Sequence, residues 1–286
     1  MKLSTYSYIL PVLACLSALN VHAANRTWDG STDNDFSTAS NWDTFPSGTH
    51  SAVMEGDAGD SLTVLSGGKS HSMNAINVRG GHTFTIDNAT GTLTGTGNLN
   101  LGRGLAGNGN EINHSAGAFN IGGLDMGGNT IGGTSSYNLS GTASLSIAGG
   151  SGRDFDIGGD VAAGDFATTF AITGDSATVT VTGAPIVLRS SAIMSFTLGA
   201  TGIDAIDTTG TLTISSGADL TIIGSAYSGA LGEITLFEAA TMTGSFASGD
   251  ITVTGLGTEG VDWTLTQNAG SSGDIVLTII PEPGAF

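Results

Sequence analysis

The sequence has few of the residues that usually support catalysis or covalent cross-links. Its only cysteine, Cys15, lies in an N-terminal segment that we expect to be removed on export. The mature protein would then have no thiol, which excludes disulfides and thiolate metal sites. The fold must therefore be stabilised by apolar packing and backbone hydrogen bonds.

Positive charge is scarce as well. Seven lysine and arginine residues stand against 25 acidic ones, so the formal net charge is −18, or −19 once Lys2 is removed. A chain with this charge repels phosphate groups, which counts against nucleic acids and anionic membrane surfaces as partners. Only 11% of the residues are charged, and 39% are hydrophobic. Regularly placed apolar residues at that level favour a folded domain over a disordered chain.

The segment 1–23 has the organisation of a secretory signal. Lys2 forms a short basic region, residues 8–16 form an apolar run, and Val21 and Ala23 are the small residues of a cleavage site. We therefore expect cleavage between Ala23 and Ala24, and export of the protein.

A different processing route would centre on Cys15. Val12-Leu13-Ala14-Cys15 resembles a lipobox, which would place a lipid on the cysteine. Leu13 is bulky where that motif usually has a small residue, so a cleaved soluble signal is the preferred interpretation.

The rest of the chain has almost no helical periodicity. Short runs alternate apolar and polar residues, as in Thr83–Ile86, Ser144–Ile147 and Thr178–Val181, and Gly, Asn and Asp separate them. Period-two alternation with frequent turn residues is typical of short, half-buried β-strands. Threonine on the polar side suits a pleated, solvated face. The sequence therefore predicts an all-β fold.

These predicted strands share a core of two apolar residues that flank a mostly polar one. Successive cores begin at short and similar intervals along the chain. Because so short a repeat cannot bury a core by itself, we expect neighbouring repeats to stack in a right-handed parallel β-helix, a β-solenoid with short coils. The apolar residues would point inward, and the central residue would face water. The six cores are Phe84-Thr85-Ile86, Leu99-Asn100-Leu101, Phe119-Asn120-Ile121, Tyr137-Asn138-Leu139, Phe155-Asp156-Ile157 and Phe170-Ala171-Ile172.

The stacking hypothesis makes two further predictions. Phe119, Ile121, Phe155 and Ile157 should lie in register along one face, and the looser spacing from Ile193 onward should mark a less regular C-terminal cap. An antiparallel β-sandwich or jelly roll is the alternative architecture. The predicted organisation is a signal peptide at 1–23, an N-terminal cap with the first strands at 24–82, Gly/Asn/Ser-rich solenoid repeats at 83–192, an irregular β part at 193–280 and a truncated sorting motif at 281–286.

The opening of the predicted mature chain contains a tryptophan-bearing pattern. Thr27-Trp28-Asp29-Gly30 is followed by Ser40-Asn41-Trp42 and Pro46-Ser47-Gly48. This pattern resembles the start of bacterial surface β-helix proteins of the autotransporter-passenger type, in which a further Trp often stands where this chain has Phe36. The resemblance implies a Gly-rich β-helix at a cell surface. Strands similar to the repeats of those proteins occupy residues 115–122 and 136–141.

The C-terminal end of the sequence carries a second resemblance. Pro281-Glu282-Pro283, followed by Gly284-Ala285-Phe286, resembles the start of a PEP-CTERM sorting signal. Proteins of that group are cut by an exosortase-type enzyme and are often linked to exopolysaccharide and biofilm matrix. The resemblance implies such an enzyme as a partner, and a location at the surface or outside of a Gram-negative-type bacterium. The family has a transmembrane helix and a basic cluster after this tripeptide, so here the motif is predicted to be truncated.

Catalytic constellations are weak in this sequence. Some parallel β-helices are polysaccharide lyases or glycosidases, and stacked coils could align Asp156, Asp160 and Asp165 as paired carboxylates. Exposed Gly-Asp turns are the simpler interpretation, because sugar-processing sites also need aromatic platforms and basic side chains. Arg153 and Arg189 are the basic residues of that region. We therefore predict no catalytic residues.

Metal and cofactor sites are not indicated either. His50, His71, His82 and His114 do not have the spacing of metal ligands. Residues 149–154 begin like a calcium-binding nonapeptide, but the motif occurs once and a calcium roll needs successive copies. We expect no cofactor, with weak structural calcium binding as the one candidate.

Trp28, Trp42 and Trp263 could stack on carbohydrate, although packing in a core or cap is the commoner fate of so large a ring. We expect the two N-terminal residues to close the first coil. The sequence as a whole indicates an exported, non-catalytic structural or adhesive protein of a cell surface or extracellular matrix, associated with exopolysaccharide. A polysaccharide-binding or polysaccharide-degrading β-helix is the alternative.

Overall fold

A computed structural model describes seven segments of the chain. Among them strands predominate, at 60% strand and 3% helix, so the all-β prediction is confirmed. The predicted signal with Ala23 and the sorting motif Pro281, Glu282 and Pro283 lie outside the described residues. The described segments are 24–56, 62–103, 109–127, 133–150, 152–158, 166–268 and 272–280.

The described residues contain nineteen strands, which hydrogen-bond into one sheet system. The first ten are β1 (Asn25–Thr27), β2 (Ser51–Glu55), β3 (Leu62–Ser66), β4 (His71–Met73), β5 (Ile76–Arg79), β6 (Thr83–Leu101), β7 (Asn110–Met126), β8 (Ser135–Ile147), β9 (Phe155–Ile157) and β10 (Thr168–Thr173). The other nine are β11 (Thr178–Val181), β12 (Ile186–Leu188), β13 (Ala192–Thr197), β14 (Ile206–Ile214), β15 (Asp219–Ile223), β16 (Gly232–Thr243), β17 (Ile251–Thr254), β18 (Trp263–Gln267) and β19 (Ile275–Ile279). Short 3₁₀ turns lie at Ala39–Asn41 and Ser248–Asp250.

The alternation in the sequence decides which side chains each strand buries. In β10, Phe170 and Ile172 are fully buried, whereas Thr169 and Ala171 between and beside them remain partly exposed. Successive side chains of a strand point to opposite sides, so the apolar set faces the core and the polar set faces water. β-branched threonine fits the outer, half-exposed positions.

All the pairings that join β1 through β17 to one another are parallel, and they fall into three ladders. The first ladder contains β1, β2, β5, β9 and β12, together with the ends of β6, β7, β14 and β16. The second contains β3, β10, β13, β15 and β17, together with the beginnings of β6, β7 and β8. The third contains β4, β11, central parts of β6, β7 and β16, the end of β8 and the beginning of β14. Parallel pairing of this extent does not fit the antiparallel sandwich or jelly roll.

Along the chain, the strands enter the three ladders in a fixed order: second, third, first. Each strand therefore pairs with a strand of the same ladder that the chain reaches only after it has passed through the other two ladders. We call this passage one round. In the second ladder Phe84, Ile112, Tyr137, Phe170 and Met194 lie side by side, each one round further along the chain than the last. The shorter repeat predicted from the sequence is wrong, because it compared strands that belong to different ladders.

Long strands connect the ladders to one another. β6, β7 and β8 each contribute pairs to two or three ladders, with register shifts in β6 and β7 where one ladder gives way to the next. As a result β7, β9, β12, β14, β11 and β8 pair with one another in a closed ring of six parallel strands.

Regular pairing continues past Ile193, where the spacing in the sequence loosens. β13, β15 and β17 extend the second ladder as far as Thr254, and β14 and β16 extend the other two. Among the named strands that the structure describes, the antiparallel pairings are those of β19 with β16 and β18. Isolated antiparallel bridges join Trp28 to Trp42 and Gly150 to Arg153. The predicted boundary at residue 193 therefore does not correspond to a change in strand pairing.

One continuous cluster of buried apolar side chains fills the space inside the ladders. Leu124, Phe155 and Ile186 are register partners in the first ladder, and all three are fully buried. Phe119 is buried as well, but it pairs with Leu145 in the third ladder.

The prediction that Phe119 and Ile121 stack with Phe155 and Ile157 along one face is therefore wrong. All four side chains contribute to the core, from two different ladders. Their similar patterns in the sequence could not show this, because a strand of any ladder has the same apolar-polar-apolar core.

Gly141 marks the corner of β8 between the second and third ladders. Its φ is +60°, and a Cβ at this position would collide with the carbonyl oxygen of Ser115. Gly174 also has a positive φ, +90°, but no atom lies within 4 Å of its Cβ position. Glycine is therefore favoured at position 141 by both the positive φ and the lack of space for a side chain. At position 174 it is favoured by the positive φ alone.

We predict that Gly141→Ala destabilises the protein more than Gly174→Ala does. Both variants incur about 1 kcal/mol of left-handed backbone strain. Overpacking at Gly141 should add roughly 1–3 kcal/mol to the loss of unfolding free energy. Urea denaturation of the two variants measures the difference, and equal losses would show that the corner can widen freely.

Candidate functional site

Two carboxylates lie side by side on the outer side of the first ladder. Asp125 is in the last segment of β7, Asp156 is the central residue of β9, and the two are register partners. Neighbouring strands of a sheet are about 4.8 Å apart. The two side chains therefore extend from adjacent strands at the closest spacing that a parallel ladder allows.

An arginine holds each of these carboxylates. Arg189 Nε donates to both carboxylate oxygens of Asp156, at 2.8 and 3.0 Å, and its Nη2 donates to Oδ2 at 2.6 Å. Arg103 Nη1 donates to Oδ2 of Asp125. A planar guanidinium that grips a carboxylate at two atoms fixes its orientation. Arg103, Asp125, Asp156 and Arg189 form what we call the carboxylate–arginine cluster.

The two carboxylates differ in their protonation chemistry. Burial raises the pKa of Asp125 to about 6, the charge of Arg103 opposes that rise, and the charge of Asp156 adds to it. A carboxyl group with a raised pKa beside a second carboxylate is the pattern of a general acid with its partner. Retaining glycosidases hold such a pair about 5–5.5 Å apart. In this protein, however, each carboxylate is already paired with an arginine.

The structure changes the interpretation of Asp156. The sequence left two interpretations open for this residue, the water-facing centre of a strand core and an exposed turn. The structure places it at the centre of the paired strand β9, and its side chain is only 17% exposed. Asp160 and Asp165, the other two aspartates considered, lie outside the described residues. Sequence reasoning did not include Asp125 or Arg103.

A signal for Asp125 was nevertheless present. Leu124-Asp125-Met126 repeats the apolar-polar-apolar core of Phe155-Asp156-Ile157, with aspartate at the same central position. The two cores are register partners, residue for residue. No comparable signal exists for Arg103, because only the ion pair identifies it.

The two N-terminal tryptophans are buried against other aromatic rings rather than exposed to solvent. The rings of Trp28 and Trp42 meet edge to face at 5.2 Å, and Phe36 lies 5.1 Å from Trp42. Trp42 Nε1 donates to the Phe36 carbonyl oxygen at 2.9 Å, and the Phe36 ring stacks on Phe84 at 5.5 Å. All four side chains are buried. The prediction that Trp28 and Trp42 are packed in the interior is confirmed, and their closing of the first coil stays a prediction.

Trp263 is also buried, at the other end of the described chain. It lines a cavity of about 380 Å³ together with Phe246, Glu259 and Gln267, among others. The Gln267 amide accepts from the Phe246 N–H at 2.9 Å and donates to the Phe246 carbonyl at 3.0 Å. This cavity lies between β17, the last strand of the second ladder, and the antiparallel strand β18.

The histidines are dispersed, each with its own partner. Within the segments that the structure describes, no three His, Cys, Asp or Glu side chains come close enough to hold a metal ion. Burial lowers the pKa of His114 to about 4. The contacts are His50 with Arg26, His71 with Ser37, His82 with Thr63, and His114 with Tyr137 and Gly117.

Three further cavities lie on the outside of the ladders. One of about 400 Å³ is bordered by Asp207, Glu238 and Asp274, and one of about 190 Å³ by Asn110 and neighbouring hydroxyl side chains. The third, about 290 Å³, is a groove beside Arg153. None of these three is lined by the carboxylate–arginine cluster.

No family model, curated protein or solved structure matches this chain. Among the described residues, no helix combines the length and the apolar character needed to cross a membrane.

The raised pKa of Asp125 predicts a pH-dependent stability. The folded protein binds this proton more tightly than an aspartate with the ordinary pKa of 3.8 does. The protonated carboxyl therefore stabilises the fold fully when the pH is below 3.8. This contribution is lost as the pH rises to about 6. Asp125→Asn should lack the dependence, so its unfolding free energy relative to the wild type should increase by up to about 3 kcal/mol between acidic and neutral pH.

Denaturant unfolding of both proteins at about pH 4 and about pH 7 measures this change. The comparison must be between variants, because the lowered pKa of His114 gives the whole protein a dependence of opposite sign in the same range. Asp87→Asn, which removes the same charge from an exposed side chain, is the control. A difference between Asp125→Asn and wild type that does not vary with pH would contradict the prediction.

Proposed function

We propose that this protein is an exported, non-catalytic structural or adhesive β-solenoid that acts at the cell surface or in the extracellular matrix, in association with exopolysaccharide. The observation that carries the proposal is the combination of three parallel ladders, one continuous apolar core and polar rows on the outside. This combination would give a long, regular surface to a mature chain that is expected to have no cysteine.

The order in which the strands enter the ladders supports the solenoid. A chain that visits the second, third and first ladders in turn, and then pairs in parallel with its previous round, winds around its own core. The connections between parallel strands are expected to be right-handed. The aromatic cluster of Trp28, Phe36 and Trp42 would close one end of the core, and β18 and β19 would lie near the other.

The outer rows support an interaction with a repetitive polymer. In the second ladder Asn113 and Asn138 are register partners, and the Asn138 amide donates to Asn113 at 2.9 Å. In the third ladder, Asn120, Ser146 and Thr180 form a row, with Ser146 as the register partner of the other two. Hydroxyl and amide groups repeated at about 4.8 Å offer hydrogen bonds to a chain of sugars, which has regularly spaced hydroxyls of its own.

The two ends of the sequence support export and sorting. The signal-like residues 1–23 favour export, and the likeness of Pro281-Glu282-Pro283 to a sorting tripeptide favours an exosortase-type enzyme as a partner. The net charge of −18 disfavours nucleic acids and anionic membrane surfaces.

Hydrolysis of a polysaccharide is the second candidate function, and the carboxylate–arginine cluster is the observation that favours it. Asp125, with its raised pKa, would be the proton donor, and Asp156 the second carboxylate. The ion pairs to Arg103 and Arg189 favour a structural role instead, since both carboxylates would have to leave their arginines to reach a substrate.

We predict an elongated particle for the mature chain that begins at Ala24. Stacked rounds of strands extend the molecule along one axis, whereas a sandwich of the same length would be compact. Small-angle X-ray scattering should give a radius of gyration well above that of a compact domain of equal length. A scattering profile that fits a sphere would refute the solenoid.

We also predict that the mature chain is retained on immobilised polysaccharide without degrading it. Affinity electrophoresis in gels that contain neutral or uronate-bearing polysaccharides should show slowed migration in at least one of them. Unslowed migration in all of them would contradict the association. The same polysaccharides, incubated with the protein, should release no reducing or unsaturated sugars. Release that Asp125→Asn abolishes would establish the second candidate instead.

A further inference from the structure

A groove of about 290 Å³ crosses the outer edge of the third ladder, where β6, β7 and β8 run side by side. Small-molecule clefts have volumes from about 300 Å³ upward. A groove near that lower limit suits a small ligand such as one sugar unit. We call it the Arg153 groove. It is lined by Thr94, Gly95, Thr96, Asn120, Ile121, Gly122, Ala148 and Arg153.

The backbone around Arg153 is fixed in place. The Arg153 N–H donates to the Gly150 carbonyl at 3.2 Å, which closes a tight turn after β8. The carbonyl of Asp154 accepts from the Leu124 N–H at 2.9 Å and ties the turn to β7. The Arg153 side chain therefore extends from hydrogen-bonded backbone.

Gly122 makes room for this guanidinium. A Cβ at Gly122 would lie 2.8 Å from Arg153 Nη1 and 2.7 Å from the Thr96 carbonyl oxygen. A side chain at this position would collide with the Thr96 carbonyl oxygen and force the guanidinium to move. The missing side chain thus places a positive charge directly beside the cavity.

Arg153 differs from the other basic residues of the mature chain. Four of them are in ion pairs with carboxylates, and Arg26 is hydrogen-bonded to His50 at 3.2 Å. Among the described residues, Arg153 has no carboxylate partner, although the protein has more than three acidic residues for each basic one. In so acidic a protein, a cation without a carboxylate partner beside a cavity favours a ligand that brings its own carboxylate.

Three polar side chains border the same groove, whose own surface is mostly apolar. Thr94, Thr96 and Asn120 take part in no side-chain hydrogen bond within the described segments, and Thr96 and Asn120 are exposed. Two hydroxyls and one amide can both donate and accept, which matches the hydroxyl groups of a sugar ring. Ala148, which is exposed, and the glycine backbones supply less polar surface for the face of that ring.

We propose that the Arg153 groove binds a single uronate unit of an otherwise neutral saccharide. The sugar carboxylate accepts hydrogen bonds from the Arg153 guanidinium, and its ring hydroxyls bond to Thr94, Thr96 and Asn120. This inference deepens the proposed association with exopolysaccharide and rests on it, since it names the chemical class of the ligand.

The net charge limits the ligand to one with sparse carboxylates. A polyanion would be repelled by a protein of charge −18, whereas one carboxylate per site keeps the contact local. At physiological ionic strength the Debye length is about 8 Å, so distant acidic side chains are largely screened from a bound carboxylate. A mostly neutral polymer with occasional uronate units fits both constraints.

Isothermal titration calorimetry with xylotriose that carries one glucuronate branch tests the proposal. The wild-type mature chain should bind this saccharide, and unsubstituted xylotriose should bind at least about tenfold more weakly. Arg153→Gln should weaken binding of the acidic saccharide by a similar factor, and Arg153→Lys by less, because lysine keeps the charge but loses the planar fork. Arg79→Gln, which removes the same charge from an arginine paired with Glu55, should bind like the wild type.

Several results would overturn the proposal. These are wild-type affinity in Arg153→Gln, equal affinity for the neutral xylotriose, or equal Arg153-dependent binding of an acidic peptide, which would make the site a general carboxylate site. If Arg153→Gln does not keep the circular dichroism spectrum of the wild type, Thr96→Val decides. A severalfold loss of affinity in that variant supports the groove, and no loss overturns it.

The outcome is separable from the proposed function. A protein that is slowed by neutral polysaccharide but does not bind the glucuronate-bearing xylotriose overturns this inference alone. A protein that is neither slowed by any polysaccharide nor able to bind the saccharide overturns both.

Discussion

Parallel backbone hydrogen bonds hold each strand in a fixed register with the strand one round away in the same ladder. The rest of the structure depends on this register. In the first ladder they bring Leu124, Phe155 and Ile186 together inside the fold and Asp125 and Asp156 together outside it. A shift of one residue would exchange these two columns, because side chains alternate between the faces of a strand. With no cysteine in the expected mature chain, this register and the core it aligns are the main sources of stability.

The core tolerates polar groups where they have partners. His114 stands in an inward column between Ile86 and Leu139, and it is almost fully buried. Its two ring nitrogens lie 3.0 Å from the Tyr137 hydroxyl and 3.0 Å from the Gly117 carbonyl oxygen. Burial favours the neutral ring, which is why the pKa of His114 is lowered to about 4. Thr63 and His82 form a second buried polar pair, at 2.7 Å.

The few cations of this protein are placed where the ladders concentrate negative charge. Arg103 and Arg189 neutralise two stacked aspartates, and Arg79 pairs with Glu55 on a neighbouring strand of the same ladder. Parallel stacking brings like charges to adjacent strands, and at Asp125 and Asp156 the two arginines reduce the repulsion between them. Among the described residues, Arg153 takes part in no such ion pair.

The sequence alone determined the all-β class and the burial of most apolar residues, because alternation with a period of two has the same meaning in any sheet. It also determined that Trp28 and Trp42 would pack, since bulky rings near the end of a core are more easily buried than exposed. It could not determine the length of a round, because the cores Phe119-Asn120-Ile121 and Phe155-Asp156-Ile157 look alike although they belong to different ladders. Only the tertiary structure paired Asp125 with Asp156, brought Arg103 and Arg189 to them, and set Arg153 over Gly122. Those contacts join residues that are distant in sequence. Which residues meet depends on the number of residues between successive strands, and that number follows no period.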